Sequence, residues 1–445
     1  MRDLAMNTYF RTIALAAFLI TPLVSQGQTT LSQSLVVNWN LVGNNSPSAF
    51  DPIAVFGNQT TPVTGISNQI ISVWKWDAVN TKWNFFSPSL DPAGLASFAA
   101  GKGYGVMSSI ASGDGYWVNA VAPLTLSLPA GTGQTSLSQP LVMSWNLVAN
   151  TSAAALDPVA VFGNVTTPLS GITSQITTVW KWDATNTKWM FFSPSLSASA
   201  LATFAAGKGY GVLTSILPGE GYWVNAAAGI SYSLPPALSG VAASGGAMAN
   251  ATATLTCGDG TTRTTTTDAN GAYVFSLSAC SVPYVVSVTG LIGDAQETLV
   301  SLHATPPSPG ESGITVNTTP LTHALAAVVS SSGDPVDLVV KFATEKAGIT
   351  DTAIKARKDA MAAALADVIT AAGLDPTKVD IVTTRFNADR TGMDKILDNV
   401  KVEVTGTSVN ITNVAGAKVD DMGDGITSAA TATAGATADL GTGTI

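Results

Sequence analysis

The chain has 445 residues, 11% of them charged, with a net charge of −9 and a pI near 4.6. That length allows about three domains, and the acidic balance without any basic run excludes non-specific nucleic-acid binding, which depends on Lys and Arg neutralising phosphates. Sparse charge among abundant Thr, Ser, Ala and Gly points to a secreted protein rather than a cytosolic enzyme.

At the N-terminus, Arg2 and Arg11 precede an apolar stretch, Thr12–Val24, followed by the small residues Ser25 and Gly27. This is the pattern of a secretory signal, with cleavage expected near Gly27–Gln28. The apolar run is short of the roughly 20 residues that a membrane-spanning helix needs. No Cys follows it, so a lipid anchor is not expected, and no later segment is apolar enough to cross a membrane.

Residues 28–129 align without a gap with 134–235, and about two-thirds of the positions are identical. All ten tryptophans lie in these two copies, five in each. Each copy reads as short strands separated by Gly, Pro and Asn turns. The clearest unit is a hairpin, Ser72–Asp77 returning through Lys82–Phe86. Pairing Asp77 with Lys82 sets Trp76 opposite Trp83 and Trp74 opposite Phe85, and alternation puts these aromatics on one face. The second copy repeats this with Trp180, Trp182, Trp189 and Phe191. Each copy opens on Trp39-Asn-Leu-Val or Trp145-Asn-Leu-Val and closes on Gly115-Tyr-Trp-Val-Asn119 or Gly221-Tyr-Trp-Val-Asn225. One helical turn each is expected at Leu95–Ala100 and Leu201–Ala206.

On these motifs the chain resembles a recurrent Trp-rich module of secreted and surface bacterial proteins. The resemblance spans nearly all of both copies. It implies an extracytoplasmic, multi-domain setting, in a Gram-negative bacterium, and no particular chemistry.

Residues 236–300 change character, with strand-like runs at Ala251–Thr256, Thr261–Thr267, Gly271–Leu277 and Tyr284–Val288. The run from Thr264 to Phe275 sets an Asp-Ala-Asn-Gly turn between two alternating strands. It resembles the carboxypeptidase regulatory-like domains, small transthyretin-like β-sandwiches, which implies an accessory module rather than a peptidase. Cys257 and Cys280, the only cysteines, are a disulfide candidate in an oxidising compartment.

From about 314 to 413 the pattern is α+β. Thr319-Pro320 begins a helix to Val329. Asp334-Pro335 begins a second, expected to end at Gly348. Thr350 caps a third, closed by Gly373. A strand over Val379–Thr383, a helix over Asp394–Asn399 and strands over Val400–Ile411 follow. The Ala-, Thr- and Gly-rich tail, 423–445, has few side chains to bury and is expected to be disordered. The fold class is therefore mainly β and multi-domain: two Trp-rich modules, a small sandwich and an α+β region.

Catalytic chemistry finds little support. The two histidines, His303 and His323, cannot make a two-His zinc motif, and no strained nucleophile turn accompanies them. The repeated acids Asp51/Asp157 and Asp77/Asp183 sit in ordinary turn positions. No cofactor is expected. Calcium has two candidate places: at Asp268-Ala-Asn270-Gly271 a hairpin turn explains the residues, and at Asn387, Asp389 and Thr391 they have the 1, 3, 5 oxygen spacing of a calcium loop with Gly392 sixth and Asp398 twelfth. The usual Glu is replaced there and Arg390 and Lys395 intrude, so a turn leading into a helix is simpler.

The aromatics carry the functional idea. Trp74, Trp76 and Trp83, with their counterparts, are expected to fill the module cores. Trp117 and Trp223, with Tyr116 and Tyr222 beside them, are the ligand-binding candidates, since sugar C–H groups favour aromatic faces. Three readings remain: a non-catalytic secreted protein binding a polysaccharide or surface partner, a structural spacer, and an envelope hydrolase with its site in the C-terminal region.

Overall fold

A computed structural model describes residues 31–129, 136–292, 295–308, 311–405, 408–413 and 436–438. The expected signal at 1–27 lies outside the described residues, as does the tail at 423–445 apart from Ala436–Ala438.

The first repeat contains β1 (Leu31–Leu35), β2 (Asn38–Gly43), α1 (Pro52–Phe56), β3 (Ile70–Asp77), β4 (Lys82–Phe86), α2 (Pro92–Lys102), β5 (Gly105–Val106), β6 (Gly115–Ala120) and β7 (Leu124–Leu128). Five strands form a sheet in the order β2-β6-β3-β4-β5, and β1 pairs with β7 in a separate ribbon. The hairpin register is the one the sequence predicts: Asp77 faces Lys82, Trp76 faces Trp83 and Trp74 faces Phe85. One face of the sheet, with Val42, Val73, Phe86, Tyr116 and Val118, packs on Leu35, Leu126 and Leu128 of the ribbon and on Phe56 of α1.

Both helices start where an acid precedes a proline. Asp51 accepts a hydrogen bond from the Ile53 amide at 2.8 Å, and Asp91 from the Gly94 amide at 2.6 Å. Each cap satisfies a free N-terminal donor, and the following Pro is already set in helical φ. α2 then runs to Gly103, whose φ of 75° closes it in the left-handed conformation. It is thus three turns long, where a single turn was expected.

The second repeat reproduces this plan with β8 (Ser138–Leu141), β9 (Ser144–Ala149), α3 (Pro158–Phe162), β10 (Ile176–Asp183), β11 (Lys188–Phe192), α4 (Ala198–Lys208), β12 (Gly211–Val212), β13 (Gly221–Ala226) and β14 (Ile230–Ser233). Its sheet order is β9-β13-β10-β11-β12. The buried tyrosine hydroxyl is satisfied differently in the two copies. Tyr116 donates to Gln33 Oε1 at 2.7 Å, whereas Tyr222 shares a 2.6 Å hydrogen bond with Tyr232, which stands where the first copy has Leu126.

The remainder begins with β15 (Ala237–Val241), β16 (Thr252–Thr256), β17 (Thr262–Thr266), β18 (Ala272–Ser276), β19 (Tyr284–Ile292), β20 (Ala295–His303) and β21 (Gly313–Thr315). They form two sheets, β17-β16-β19-β20 and β18-β15-β21. A disulfide joins Cys257 to Cys280, as expected. Then come α5 (Pro320–Val329), α6 (Asp337–Val340), α7 (Phe342–Glu345), α8 (Asp351–Ala364), α9 (Ala366–Ala371), α10 (Gly392–Asn399), β22 (Val400–Thr405) and β23 (Ser408–Asn413). Residues Ala436–Ala438 of the expected tail add a strand, β24, beside β23. One continuous core joins the sandwich to the helices, running from Leu238 and Val286 through Leu321 and Leu325 to Ile354 and Ile396.

The fold is mainly β and multi-domain. Further elements of the C-terminal region differ from expectation, among them the helix begun at Thr350, which is interrupted at Leu365 between α8 and α9. The helix drawn to Gly348 is broken at Lys341 into α6 and α7, with a 3₁₀ turn at Lys346–Gly348. Val379–Thr383 is a turn, not a strand, because the Asp380 carboxylate accepts the amides of Val382 and Thr383 at 2.9 and 3.1 Å. A side chain that satisfies two local amides competes with strand pairing.

Candidate functional site

Strand alternation gives each five-stranded sheet a second face, opposite its core. In the first repeat that face carries Trp39, Trp74, Trp76, Trp83 and Trp117, and the second repeat matches it residue for residue. The two indole faces are turned toward each other. Trp76 donates its indole N–H to the Trp145 carbonyl at 2.9 Å, and Trp182 donates to the Trp39 carbonyl at the same distance. Trp117 packs against Trp182 and Trp189, with ring centres 6.3 and 5.8 Å away. Trp223 packs against Trp76 and Trp83 at 6.2 and 5.8 Å. Each of these contacts recurs with the repeats exchanged, so the pair docks as an isologous dimer does, within one chain. Backbone bonds follow the same rule: Gly43 N–H to Gly219 O at 2.7 Å, and Ala149 N–H to Gly113 O at 2.9 Å.

The docking leaves a cavity of about 900 Å³ lined by all ten tryptophans together with Tyr104 and Tyr210. None of the ten is fully buried, and Trp39 and Trp145 are 41% and 38% exposed. This corrects the placement of Trp76 and Trp83, and of their counterparts, in the module cores, whereas Trp74 and Trp180 line the cleft and also pack, half-buried, against those cores. Phe, Val, Leu and Tyr from the other sheet face fill those cores, and the indoles form the walls of a cleft between repeats.

Of the expected ligand candidates, Trp117 and Trp223 lie in this cleft. Tyr116 and Tyr222 do not. As sequence neighbours of those tryptophans on a strand they point to the opposite face, where both are fully buried. Burial also pushes both phenols far above their ordinary pKa, so they are core groups with internal hydrogen-bond partners. Sequence reasoning missed Tyr104 and Tyr210. Each stands edge-on to a tryptophan, Trp74 or Trp180, at 4.9 Å. Their signal is the run Gly101-Lys-Gly-Tyr-Gly105, which recurs as Gly207-Lys-Gly-Tyr-Gly211.

The lining is apolar and offers donors rather than charges. Trp74 donates to Ser72 Oγ at 3.0 Å. Its counterpart Trp180 has Thr178 at that place, and its indole nitrogen is buried without a partner. Among the described residues the indole N–H groups of Trp39, Trp83, Trp117, Trp145, Trp189 and Trp223 also have no protein acceptor.

The acids near the cleft are committed elsewhere. Asp114 pairs with Lys75 at 2.7 Å and accepts the Ala111 amide at 2.7 Å. Glu220 pairs with Lys181 at 2.5 Å. At the hairpin ends, hydrogen bonds from Asn80 and Asn186 hold Asp77 and Asp183 below the usual carboxylate range, which keeps them ionised and unsuited to donate a proton.

In the C-terminal unit, the Asp389 carboxylate accepts both the amide and the hydroxyl of Thr391, at 3.0 and 2.7 Å. Asp394 accepts the Arg390 amide at 2.7 Å. The Asn387–Thr391 segment is thus a self-satisfied turn into α10. Asp398 lies toward Gly245. Among the described residues no group of three or more His, Cys, Asp or Glu side chains is arranged to hold a metal ion. His323 accepts the Val300 amide at Nδ1, 3.1 Å away, and ties α5 to β20. His303 stacks on Tyr284. Burial lowers the pKa of both.

No family model matches the chain, and no curated protein matches it. Among the described residues, no helix is long and apolar enough to cross a membrane.

Proposed function

We propose that this chain is a secreted or cell-surface, non-catalytic binding protein that takes a glycan into the cleft between its two Trp-rich repeats. The observation that carries the reading is the 900 Å³ cavity walled by twelve aromatic side chains and open to solvent. Its size falls in the range of ligand sites, and a close-packed interface would leave no void much larger than a water molecule. Pyranose C–H groups suit indole faces, and sugar oxygens suit the unpartnered indole N–H donors. The disulfide supports an oxidising compartment. The likeness to Trp-rich bacterial surface modules and to carboxypeptidase regulatory-like domains supports a modular envelope protein, in a Gram-negative setting.

A second reading has its own observation. The reciprocal hydrogen bonds of Trp76 and Trp182 also weld the repeats, as a rigid spacer requires. Affinity electrophoresis of the full chain through gels containing soluble neutral polysaccharides separates the two. Retardation that Trp117→Ala and Trp223→Ala abolish supports binding. Unretarded migration in every polysaccharide supports the spacer.

A further inference from the structure

The twofold relation between the repeats runs through the cavity itself. Gly43 and Ala149 are equivalent positions that meet where the repeats dock, so they lie close to the axis. Each repeat gives the wall the same five tryptophans and one tyrosine. The halves match in geometry as well. Trp39 stands 6.1 Å from Trp117 at 86°, and Trp145 stands 6.0 Å from Trp223 at 88°. Across the junction, Trp83 lies 5.8 Å from Trp223 at 79°, and Trp189 lies 5.8 Å from Trp117 at 76°.

Where the repeats have diverged, the wall is spared. About a third of the aligned positions differ, and none of the lining residues is among them. Asn84 and Met190 differ, but each precedes an aromatic of the cleft face on its strand and so points to the opposite side of the sheet. Asp114 and Glu220 differ by one methylene, and each is held by a lysine. Ser72 and Thr178 differ beside Trp74 and Trp180, yet the Trp180 indole nitrogen is buried, out of a ligand's reach. The lining is tryptophan and tyrosine throughout, so no charge marks one half of the cavity from the other.

A linear glycan has a direction, from its non-reducing to its reducing end. A site that tells the two directions apart needs different groups at its two ends. Here half a turn about the axis brings each wall group onto its equivalent. A glycan lying across the axis meets the same indoles whichever way it runs. Resting on the glycan reading above, we infer that the cleft holds one linear neutral glycan segment per protein chain and binds it in both directions with nearly equal affinity. The duplicated module thus reads the chemistry of its ligand and not its polarity. Two equivalent poses also raise the affinity about twofold over a single one, a purely statistical gain.

Fluorine magnetic resonance of the full chain, carrying 5-fluorotryptophan and assigned through single Trp→Phe variants, tests this. The probes are cellohexaose, xylohexaose and maltohexaose, each with a nitroxide at its reducing end, and isothermal titration of the unlabelled sugars counts the molecules bound. The expected result is one hexaose per chain with matched broadening of equivalent indoles, Trp39 with Trp145 and Trp83 with Trp189. Trp117→Ala makes the two poses unequal and should tilt the broadening toward one repeat, and Trp223→Ala should tilt it toward the other. Broadening confined to one repeat of the unsubstituted chain would overturn the two-way binding while leaving glycan binding intact. Two hexaoses per chain would overturn it as well, since matched broadening would then come from two separate sites. If none of the three sugars binds, the glycan reading falls and this inference with it.

Discussion

A β-carbon placed on Gly43 would lie 2.3 Å from the Cβ of Ala149, its counterpart in the other repeat. The two positions meet each other where the repeats dock, and a methyl on residue 43 would collide with the Ala149 methyl while also crowding the backbone of the other repeat. The repeats are about two-thirds identical, and the Gly/Ala difference at this pair fits the space between them. Gly43→Ala is expected to cost about 1–3 kcal/mol through overpacking. Adding Ala149→Gly removes the methyl–methyl clash and should restore part of that loss, the remainder coming from the Cα of residue 149 and the Glu220 carbonyl, which a β-carbon on residue 43 would still approach to 2.9 and 3.1 Å. Thermal unfolding followed by tryptophan emission reads both variants, and additive destabilisation in the double variant would refute the docking geometry.

The indole hydrogen bonds across the interface provide a second test. Trp76→Phe and Trp182→Phe each remove a donor and leave the Trp145 or Trp39 carbonyl to water. Each should cost about 1 kcal/mol, and the two costs should be nearly equal because the contacts are related by exchange of the repeats. A large inequality in denaturant midpoints would contradict the pseudo-twofold arrangement.

The disulfide should act on a different part of the chain. Cys257→Ala with Cys280→Ala removes a cross-link between residues 23 apart, worth about 3 kcal/mol by the chain-entropy account. Every tryptophan lies in the repeats. The variant should therefore unfold earlier by far-ultraviolet circular dichroism while the tryptophan transition stays in place. A matching shift in both signals would mean that the units unfold together.

The two histidines set a pH dependence. Burial holds both pKa values below the ordinary value near 6.5, so the folded C-terminal unit favours neutral imidazole. The unfolded chain binds more protons as pH falls through about 6.5, and stability present above that pH is lost below it. For His323 the cause is direct, since a proton on Nδ1 would end its acceptance of the Val300 amide. The unfolding midpoint should fall between about pH 7 and pH 5.5, and His323→Asn should flatten the slope. A midpoint that rises over that window would contradict the placement of His323.

The hairpin was legible in the sequence because Asp77 and Lys82 fix its register and alternation does the rest. Which face of the hairpin is core was not legible. Val73 and Phe86 on one face are as apolar as Trp74 and Phe85 on the other, and periodicity cannot say which face a second body will cover. The cleft depends on contacts such as Trp76 to Trp145, far apart in the chain, and no local pattern encodes them. The assignment of Tyr116 beside Trp117 failed for the opposite reason: neighbours on a strand point apart, a rule available from the sequence. Val379–Thr383 read as a strand on its β-branched residues, and the Asp380 carboxylate decided otherwise.

Because all ten tryptophans line one cavity, the whole indole emission reports on that cavity alone. Acrylamide quenching of the full chain, with and without a β-1,4-linked gluco-oligosaccharide, is the most direct measurement of the central claim. The expected result is strong quenching of the free protein, with the oligosaccharide shielding a large share of it. Emission that resists acrylamide in the free protein would show a closed, dry packing of the repeats, and the open binding cleft would have to be given up.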